Sequence, residues 1–339
     1  MNSLVMAIVV WNNADDAIEC AESLLDQTLD ATEVVFIDND SEPSCKARLE
    51  EFMQKKKSLK LHLHETGKND GTAGGFTAAA TWARAHNFKY VGALNADAIA
   101  SKNWCKLLVD ELESHSNSGI ATGTMLSRDG TTIDSTGDFY TTWGLPGPRN
   151  RDDTVKHIPK NAEYVFGATG GGFIARTSMY DTVGYYDSAM FMYYEDVDFS
   201  FRAQLAGYKV RYNPKALAYH KRGASADTVP GLAVYNTFKN LPILFTKNVP
   251  LKLWPTIYPR FIVTYCLILM SAIKNSYGWQ AVKGNLMSWR YLFHMFSQRI
   301  EIQRSKRVST KYISSIILHD IPPDQTGLRK FRKFFTGRA

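Results

Sequence analysis

The chain has 339 residues, 45% hydrophobic and 22% charged, a composition that suits an ordinary globular protein with a large core and excludes a disordered or fibrous one. Its length allows one large domain or two smaller ones. The net charge of +7 is unevenly spread: residues 230–339 carry 17 Lys/Arg against Glu301, Asp320 and Asp324, hence +14, and the rest of the chain stands at −7. A basic third of this kind calls for an anionic partner, whether nucleic acid, a phospholipid surface or a phosphorylated substrate. The start, MNSLVMAIVVWNN, lacks a basic n-region and a long apolar run, so no signal peptide is expected. Cys20, Cys45, Cys105 and Cys266 show neither CxxC nor zinc spacing and are expected as reduced thiols in a cytosolic protein.

In chain order, the apolar run Met6–Val10 predicts a buried strand closed by Trp11-Asn12-Asn13. Ala14–Leu29 carries Ile18, Ala21, Leu24 and Leu25 at helical spacing, with Asp15 and Asp16 in its first turn. Val34–Ile37 predicts a second strand, ending in Asp38-Asn39-Asp40-Ser41, and Cys45–Lys57 a helix. A weak strand over Leu61–His64 precedes the glycine-rich Gly67–Phe76, which leads into a helix over Thr77–His86. Tyr90–Leu94 predicts a fourth strand, ending in Asn95-Ala96-Asp97, followed by a helix over Lys102–Glu113 and a strand over Ile120–Met125. Strand–helix alternation with polar residues at the strand ends predicts an α/β protein with a parallel, doubly wound sheet. Ligands bind such sheets beyond the C-terminal ends of the strands. Asn12, Asp38, Asn69 and Asp97 all fall on that edge.

Each of these residues has an ordinary reading beside a functional one. Asp38 suits an Asx turn, or a hydrogen bond from a base or ribose. The glycines of Asn69–Phe76 permit close backbone approach ahead of a helix N-terminus, a ready anion site. The run is not GxGxxG and lacks the Walker lysine, so a plain turn explains it about as well. Asn95 and Asp97 put two oxygen ligands on one side of an extended segment, which suits a divalent cation on a diphosphate, although Asp97 would also serve as a helix cap.

Asp129–Pro159 reads as a long polar loop region. The four glycines of Phe166–Phe173 bring the backbone close to something, and Phe173–Thr177 predicts a strand. Met192–Tyr208, MYYEDVDFSFRAQLAGY, opens a helix with three acids against an aromatic run. Val197, Phe201 and Leu205 mark its apolar face, and Asp198 pairs with Arg202 at i,i+4. The helix dipole accounts for Asp198. Glu195 and Asp196, so close to Met190–Tyr194, are harder to explain structurally and are candidates for function. Val210–Tyr212 and Ala216–Tyr219 predict short strands, the second ending at His220, a candidate metal ligand beside Lys221 and Arg222.

Beyond Asp227 the strand pattern stops. Phe238–Phe245, Leu253–Ile273, Trp279–Phe296 and Val308–Leu318 read as helices with interleaved aromatic and basic residues. The least polar part, Phe261–Ile273, is 13 residues and too short to span a bilayer. The tail LRKFRKFFTGR, Leu328–Arg338, has the composition of an interfacial membrane anchor, or of a solvated basic end with one packed stripe. The expected division is a catalytic domain over 1–229 and a helical, membrane-associating region over 230–339.

These motifs together resemble the family 2 (GT-A fold) glycosyltransferases of bacterial polysaccharide assembly, particularly the rhamnosyltransferase and galactofuranosyltransferase type. The resemblance runs from about Ala7 to Asn248. It rests on the ordered series Val10-Trp11-Asn12, Ile37–Ser41, Asn69–Phe76, Leu94–Asp97, Gly167–Phe173, Gly184–Asp187, Phe191–Asp198, Ala206–Tyr208, His220 and Asn240. It implies a GT-A fold, a Rossmann-like and mostly parallel sheet flanked by helices, with a C-terminal helical extension. The donor would be a dTDP- or UDP-sugar, lined by Trp11, Asn12, Asp38, Asn69, Gly74, Gly75 and Asn95. Asp97 and His220 would hold Mg²⁺ or Mn²⁺, with Asn95 departing from the first Asp of the family's DxD-like motif. Asp196 would be the general base, and Gly170, Gly171 and Glu195 would face the acceptor. One base opposite the leaving group implies a single inverting displacement.

By the same resemblance the acceptor is a polyprenyl-diphosphate-linked glycan. The enzyme is then expected in the cytoplasm, peripheral on the inner face of the membrane, serving O-antigen, capsule or cell-wall synthesis, with self-association left open. The donor is read as dTDP-rhamnose, with UDP-galactofuranose the alternative. A nicotinamide oxidoreductase would need its glycine loop after the first strand, whereas here it follows the third. A nucleic-acid-binding protein would suit the basic tail but leaves Asn12, Asp38, Asp97 and Asp196 without a common explanation.

Overall fold

The computed structural model describes residues 4–30, 32–58, 60–221, 229–321 and 332. The expected anchor at 328–338, apart from Arg332, and Arg222 beside the His220 strand lie outside the described residues. The first half is strand–helix alternation: β1 (Leu4–Val10), α1 (Ala14–Leu25), β2 (Thr32–Asp38), α2 (Pro43–Lys56), β3 (Leu61–Glu65), α3 (Gly71–Ala85), β4 (Tyr90–Leu94), β5 (Ala98–Ala100), α4 (Trp104–Ser114) and β6 (Ser118–Ser127). Then come β7 (Ile133–Ser135), β8 (Asp138–Tyr140), β9 (Pro146–Pro148), β10 (Glu163–Val165), β11 (Gly172–Arg176), α5 (Tyr180–Val183), α6 (Glu195–Leu205) and β12 (Lys209–His220). Five helices close the described chain: α7 (Leu232–Asn248), α8 (Trp254–Lys274), α9 (Gly278–Arg290), α10 (Leu292–Ser305) and α11 (Thr310–Ile316).

Among the described residues ten strands form one sheet, in the order β10-β12-β6-β11-β4-β1-β2-β3, with β5 on β12 and β7 on β6. The expected parallel unit is present: β1 pairs in parallel with β2 and β4, and β2 with β3. β11 enters antiparallel between β4 and β6, and β12 runs parallel to β6. Side chains alternate across the sheet, and both faces are covered. Met6, Ile8, Phe36 and Leu94 pack towards α1, α2 and α4, while Val5, Ala7, Val35 and Ile37 pack towards Ala73, Phe76 and Ala80 of α3.

Several elements differ from the sequence expectation. α3 begins at Gly71, not Thr77, so the glycine-rich run is largely its first turns. The polar region 129–159 contains β7, β8 and β9, each three residues long, which take their pairing from β6 and from each other. The two short strands expected over 210–219 are one strand, β12, whose register shifts between Asn213 and Leu217, where Pro214 cannot donate to the ladder. The single helix expected over 279–296 is two, separated at Tyr291. The helix expected over Leu253–Ile273 is present as α8, but its apolar part is not confined to 261–273: it takes in the whole segment Leu251–Lys274, with Pro255 in the first turn of α8. This segment, 24 residues at mean hydropathy 1.5, is long and apolar enough to cross a membrane by length and composition.

α7 shares a third core with the body. Leu241, Ile243, Leu244 and Phe245 pack with Met190, Val197, Phe201 and Leu205. The polar side of that contact is a buried cluster. Arg202 Nε donates to Asp198 Oδ2 at 2.9 Å, as the i,i+4 spacing predicts, and Lys247 reaches Asp198 at 3.1 Å and also pairs with Asp187. Burial works against these carboxylates, but the cations outweigh it and hold both below the usual carboxylate range.

Candidate active site

The C-terminal ends of the parallel strands open into a cleft of about 770 Å³. Trp11 after β1 and Asn39 after β2 line it, as do Asn69 and Thr72 at the start of α3 and Asn95–Asp97 after β4. Gly170 and Gly171 before β11, Glu195 and Asp196 at the start of α6, and His220 at the end of β12 line it too. The cleft therefore gathers nine of the thirteen residues singled out from sequence.

Asn12, Asp38, Gly74 and Gly75 do not line it, and their contacts say why. Asp38 Oδ1 accepts from the Ser41 N–H at 3.0 Å, and Asn12 Oδ1 accepts from the Glu42 N–H at 2.7 Å, so both tie the ends of β1 and β2 to the start of α2. The neighbouring Asn39, not Asp38, reaches the cleft; its amide donates to Asn69 Oδ1 at 3.0 Å and to the Gly71 carbonyl at 3.1 Å. A Cβ on Gly75 would stand 2.6 Å from Val9, so this glycine lets α3 lie close on β1. Gly74 lines a smaller cavity of about 440 Å³ next door, with Asn39 and Asp70. The helix N-terminus proposed as an anion site is partly taken. The Gly71 N–H donates to Asn69 Oδ1 at 2.9 Å and the Ala73 N–H to the Phe191 carbonyl at 3.0 Å.

Asp97 and His220 meet because β5 pairs antiparallel with β12, setting Ala98 opposite His220. Their Oδ1 and Nε2 are 3.1 Å apart, and the Asn95 amide lies 3.2 Å from the same Nε2. His220 Nδ1 lies 2.7 Å from Asp134 Oδ2, and Arg151 holds the other oxygen of Asp134 at 2.9 Å. Burial alone would push His220 down, but the two carboxylates outweigh it and raise the imidazole to about 9. Among the described residues no group of three or more His, Cys, Asp or Glu stands ready to hold a metal ion by itself. The pair nevertheless fits a cation whose remaining ligands come from a substrate. One carboxylate oxygen and one imidazole nitrogen converge, and Asp134 orients the ring through its other nitrogen, as carboxylates behind metal-binding histidines do.

Asp196 lines the same cleft, half-buried. Its Oδ2 accepts from the Gly170 N–H and its Oδ1 from the Val197 N–H, both at 2.8 Å. Asp138, buried at the start of β8, hydrogen-bonds to Asp196. Burial and the Asp196 charge push Asp138 well above the usual carboxylate range, so it holds the shared proton. Burial also raises Asp196, and its backbone donors and Asp138 counter that. Beside them Glu195 is raised to about 8 by burial and by Asp196; its Oε1 accepts from Thr72 at 2.5 Å, and its Oε2 has no protein partner. Of the three, Asp196 has the most donors to support a charge, two backbone N–H groups and Asp138. Asp134, Asp138 and Arg151 were not apparent from sequence, and Thr72 was marked only as part of the Asn69–Phe76 run.

The aromatic run before the acids is held in an unusual conformation. Phe191, Tyr193 and Tyr194 have φ of 60°, 69° and 69°. With ψ of −69° at Phe191 and Met192 N–H donating to the Met190 carbonyl at 2.7 Å, residues 190–192 form a γ-turn, a strained kind. Asn240 of α7 secures it, its amide 2.8–2.9 Å from the carbonyls of Met190, Met192 and Tyr193. Lys239 adds a contact to Met190 at 3.1 Å, and burial lowers its ammonium to about 8 against the pull of Asp187 and Glu195.

Comparison with known proteins agrees with this architecture. By sequence, no curated protein matches the chain significantly. Among solved structures, a mannosyltransferase from Pyrobaculum calidifontis in complex with GDP-Man and Mn²⁺ superposes with TM-score 0.53 at 13% identity, over 89% of this chain and 85% of that one. S. aureus TarS (residues 1–349) gives 0.50 at 14% identity, over 85% and 91%. GalNAc-T7 with UDP, GalNAc and Mn²⁺ gives 0.53 at 17% identity over 64% of this chain, which spans only 43% of that protein. At these identities the likeness shows a shared fold, the GT-A type. The profile described as Glycosyl transferase family 2 matches residues 6–184, more than half of the sequence. The chain therefore belongs to glycosyl transferase family 2, a family of nucleotide-sugar-dependent glycosyltransferases.

Proposed function

We propose that the protein is an inverting glycosyltransferase that moves L-rhamnose from dTDP-rhamnose to a hydroxyl of a polyprenyl-diphosphate-linked glycan. It would work at the cytoplasmic face of the membrane in cell-surface glycan assembly. The observation that carries the reading is that one cleft gathers the carboxylate of Asp196 and the facing pair Asp97 and His220. The choice of rhamnose rests on the ordered motif series, and UDP-galactofuranose is the competing donor in the same cleft.

Asp196, ionised and fixed by two N–H donors, takes the proton of the acceptor hydroxyl as its oxygen bonds to the anomeric carbon. The bond from that carbon to the donor diphosphate breaks, and the nucleoside diphosphate leaves with the electron pair. Glu195 and Asp138, kept neutral, offer no second nucleophilic carboxylate, which favours one displacement with inversion. The unpartnered Oε2 of Glu195 suits a hydrogen bond with an acceptor hydroxyl. Asp97 and His220 would hold a divalent cation, which supplies charge neutralisation for the departing diphosphate. An imidazole ligand favours Mn²⁺ over Mg²⁺, which prefers oxygen and water.

A thermal-shift panel of dTDP-rhamnose, UDP-galactofuranose and GDP-mannose, with and without Mn²⁺, tests this directly. Stabilisation by dTDP-rhamnose that increases with Mn²⁺ is expected, and Asp196→Asn should keep it while losing transfer. Stabilisation by UDP-galactofuranose alone would move the donor, and no response to any nucleotide sugar would overturn the reading.

A further inference from the structure

The apolar surface of the C-terminal helices is not used by the cleft. On α9 the buried residues are Ala281, Gly284 and Ser288, the face that packs on α7, where a Cβ on Gly284 would stand 2.2 Å from the Tyr235 carbonyl. Trp279, Val282, Leu286 and Trp289 recur at i, i+3, i+7 and i+10 on the opposite face, and Trp279, Leu286 and Trp289 are each more than 60% exposed. Phe293, 94% exposed, Phe296 and Ile300 continue the spacing along α10. On α8 the exposed Tyr258, Ile262, Cys266, Met270 and Ile273 form a third stripe. α8 and α9 pack against each other through a short turn at 275–277, and α9 runs into α10 at Tyr291. Three adjacent helices thus each present an outward apolar stripe, far more than the scattered exposed residues of an ordinary surface.

The charge around these stripes has one sign. Over residues 251–311 there are ten Lys/Arg and a single acid, Glu301. Lys252, Arg260, Lys274, Lys283, Arg290 and Arg304 are all exposed. Lys283 lies over the Trp279 ring at 5.3 Å, so cation and aromatic face sit together. Tryptophan and phenylalanine among basic residues match the headgroup boundary of an anionic bilayer, whereas a water-soluble partner would need acids to answer this ring of cations.

The manner of contact follows from α8. By length and composition its segment could cross a membrane, yet one side of it is fixed along the body. Phe261 packs against Gly144, Thr264 donates to the Trp143 carbonyl at 3.1 Å, and the Tyr265 hydroxyl donates to the Phe238 carbonyl at 3.1 Å. A helix so attached lies in the interface plane instead of spanning it. α7, which carries α9, contributes Leu232 to the cleft lining, so the apolar face and the cleft share a helix.

We infer that the outer face of α8, α9 and α10 is a monotopic docking surface for an anionic phospholipid bilayer. The contact stands on the helices alone; its use in presenting a lipid-linked acceptor rests on the transferase reading above.

The test uses the full-length chain and sedimentation with sucrose-loaded vesicles, of phosphatidylcholine alone or with 30% phosphatidylglycerol. Wild type should partition at least tenfold more strongly onto the anionic vesicles, with salt weakening the binding. Trp289→Ser combined with Phe293→Ser should lose at least tenfold, with an unchanged melting temperature and unchanged stabilisation by the donor. Lys283→Glu with Arg290→Glu should remove the preference for anionic lipid and leave the residual binding to neutral vesicles. Equal partition of wild type and the Ser variant would overturn the proposal. So would a solution dimer that the Ser variant converts to monomer, which would assign the face to a second copy. Donor-induced stabilisation reports on the transferase reading separately, so either can fail without the other.

Discussion

Glu195 and Asp196 are neighbours in the chain; burial raises both carboxyls, and their hydrogen-bond donors separate them. Asp196 receives two backbone N–H groups and a proton donor, so its charge is supported. Glu195 receives one hydroxyl and stays neutral up to about pH 8. Between its ordinary value and about 8 the folded state therefore binds a proton that the unfolded state has lost, and stability must fall as pH rises through that window. Glu195→Gln mimics the neutral acid and removes the dependence. The melting temperatures of the two proteins should nearly coincide at pH 4.5 and diverge up to pH 8.5, where the variant is the more stable by on the order of 2–4 kcal/mol. A constant difference across that range would mean that Glu195 is ionised throughout. Asp97, Asp196 and His220 could be read from sequence because each lies at or just past the end of a strand or opens an amphipathic helix, where position predicts direction. Asp134 and Asp138 could not, because their three-residue strands owe their place to β6 and to the loop at Gly167, contacts that local pattern does not encode.

At the scale of elements, the wall behind the acids is the least ordinary part of the molecule. A γ-turn at Phe191 and two residues at positive φ before α6 are unfavourable for bulky side chains and persist only if their surroundings enforce them. α7 does so through Asn240, a fully buried side chain that sequence marked without giving it a role. Asn240→Ala should cost about 2–4 kcal/mol, from the lost bonds to buried carbonyls and the relaxed turn. Transfer should fall more than tenfold with donor-induced stabilisation kept, since the turn faces the cleft beside Glu195. Loss of both in parallel would mark Asn240 as a general stability residue only. The close approach at Gly170 belongs to the same wall: a Cβ there would stand 2.7 Å from Asp196 Oδ2, so any side chain displaces the proposed base. The sheet was legible because strand–helix alternation is a local signal repeated along the chain. The start of α3 was not, because its first residue, Gly71, lies against the Phe191 carbonyl, 2.2 Å from where a Cβ would stand, a contact made from 120 residues away.

For the whole molecule, the drop in strand pattern near Asp227 reads as a domain boundary, and the packing argues that residues 1–229 do not fold alone. Removing α7 and the helices after it would uncover Met190, Val197, Phe201 and Leu205, each of which loses on the order of 1.5–3 kcal/mol of burial. It would also take Lys247 and Asn248 from Asp187 and Asp198, leaving two buried carboxylates with less compensation at a cost of about 3–5 kcal/mol. Those losses together match or exceed the roughly 5–15 kcal/mol by which a domain is stable. The fragment 1–229 should show no cooperative melting transition, lose its near-ultraviolet circular dichroism and bind the dye ANS, while retaining helical signal in the far ultraviolet. A sharp melt with native near-ultraviolet bands would instead make α7 dispensable and the boundary real. Because α7 secures the turn before Asp196 and carries α9 on its other side, the proposed catalytic wall and the proposed membrane-docking helices are parts of one cooperative body. Point substitutions on the outer stripes, and not truncations, therefore test the proposed membrane contact apart from the proposed catalysis.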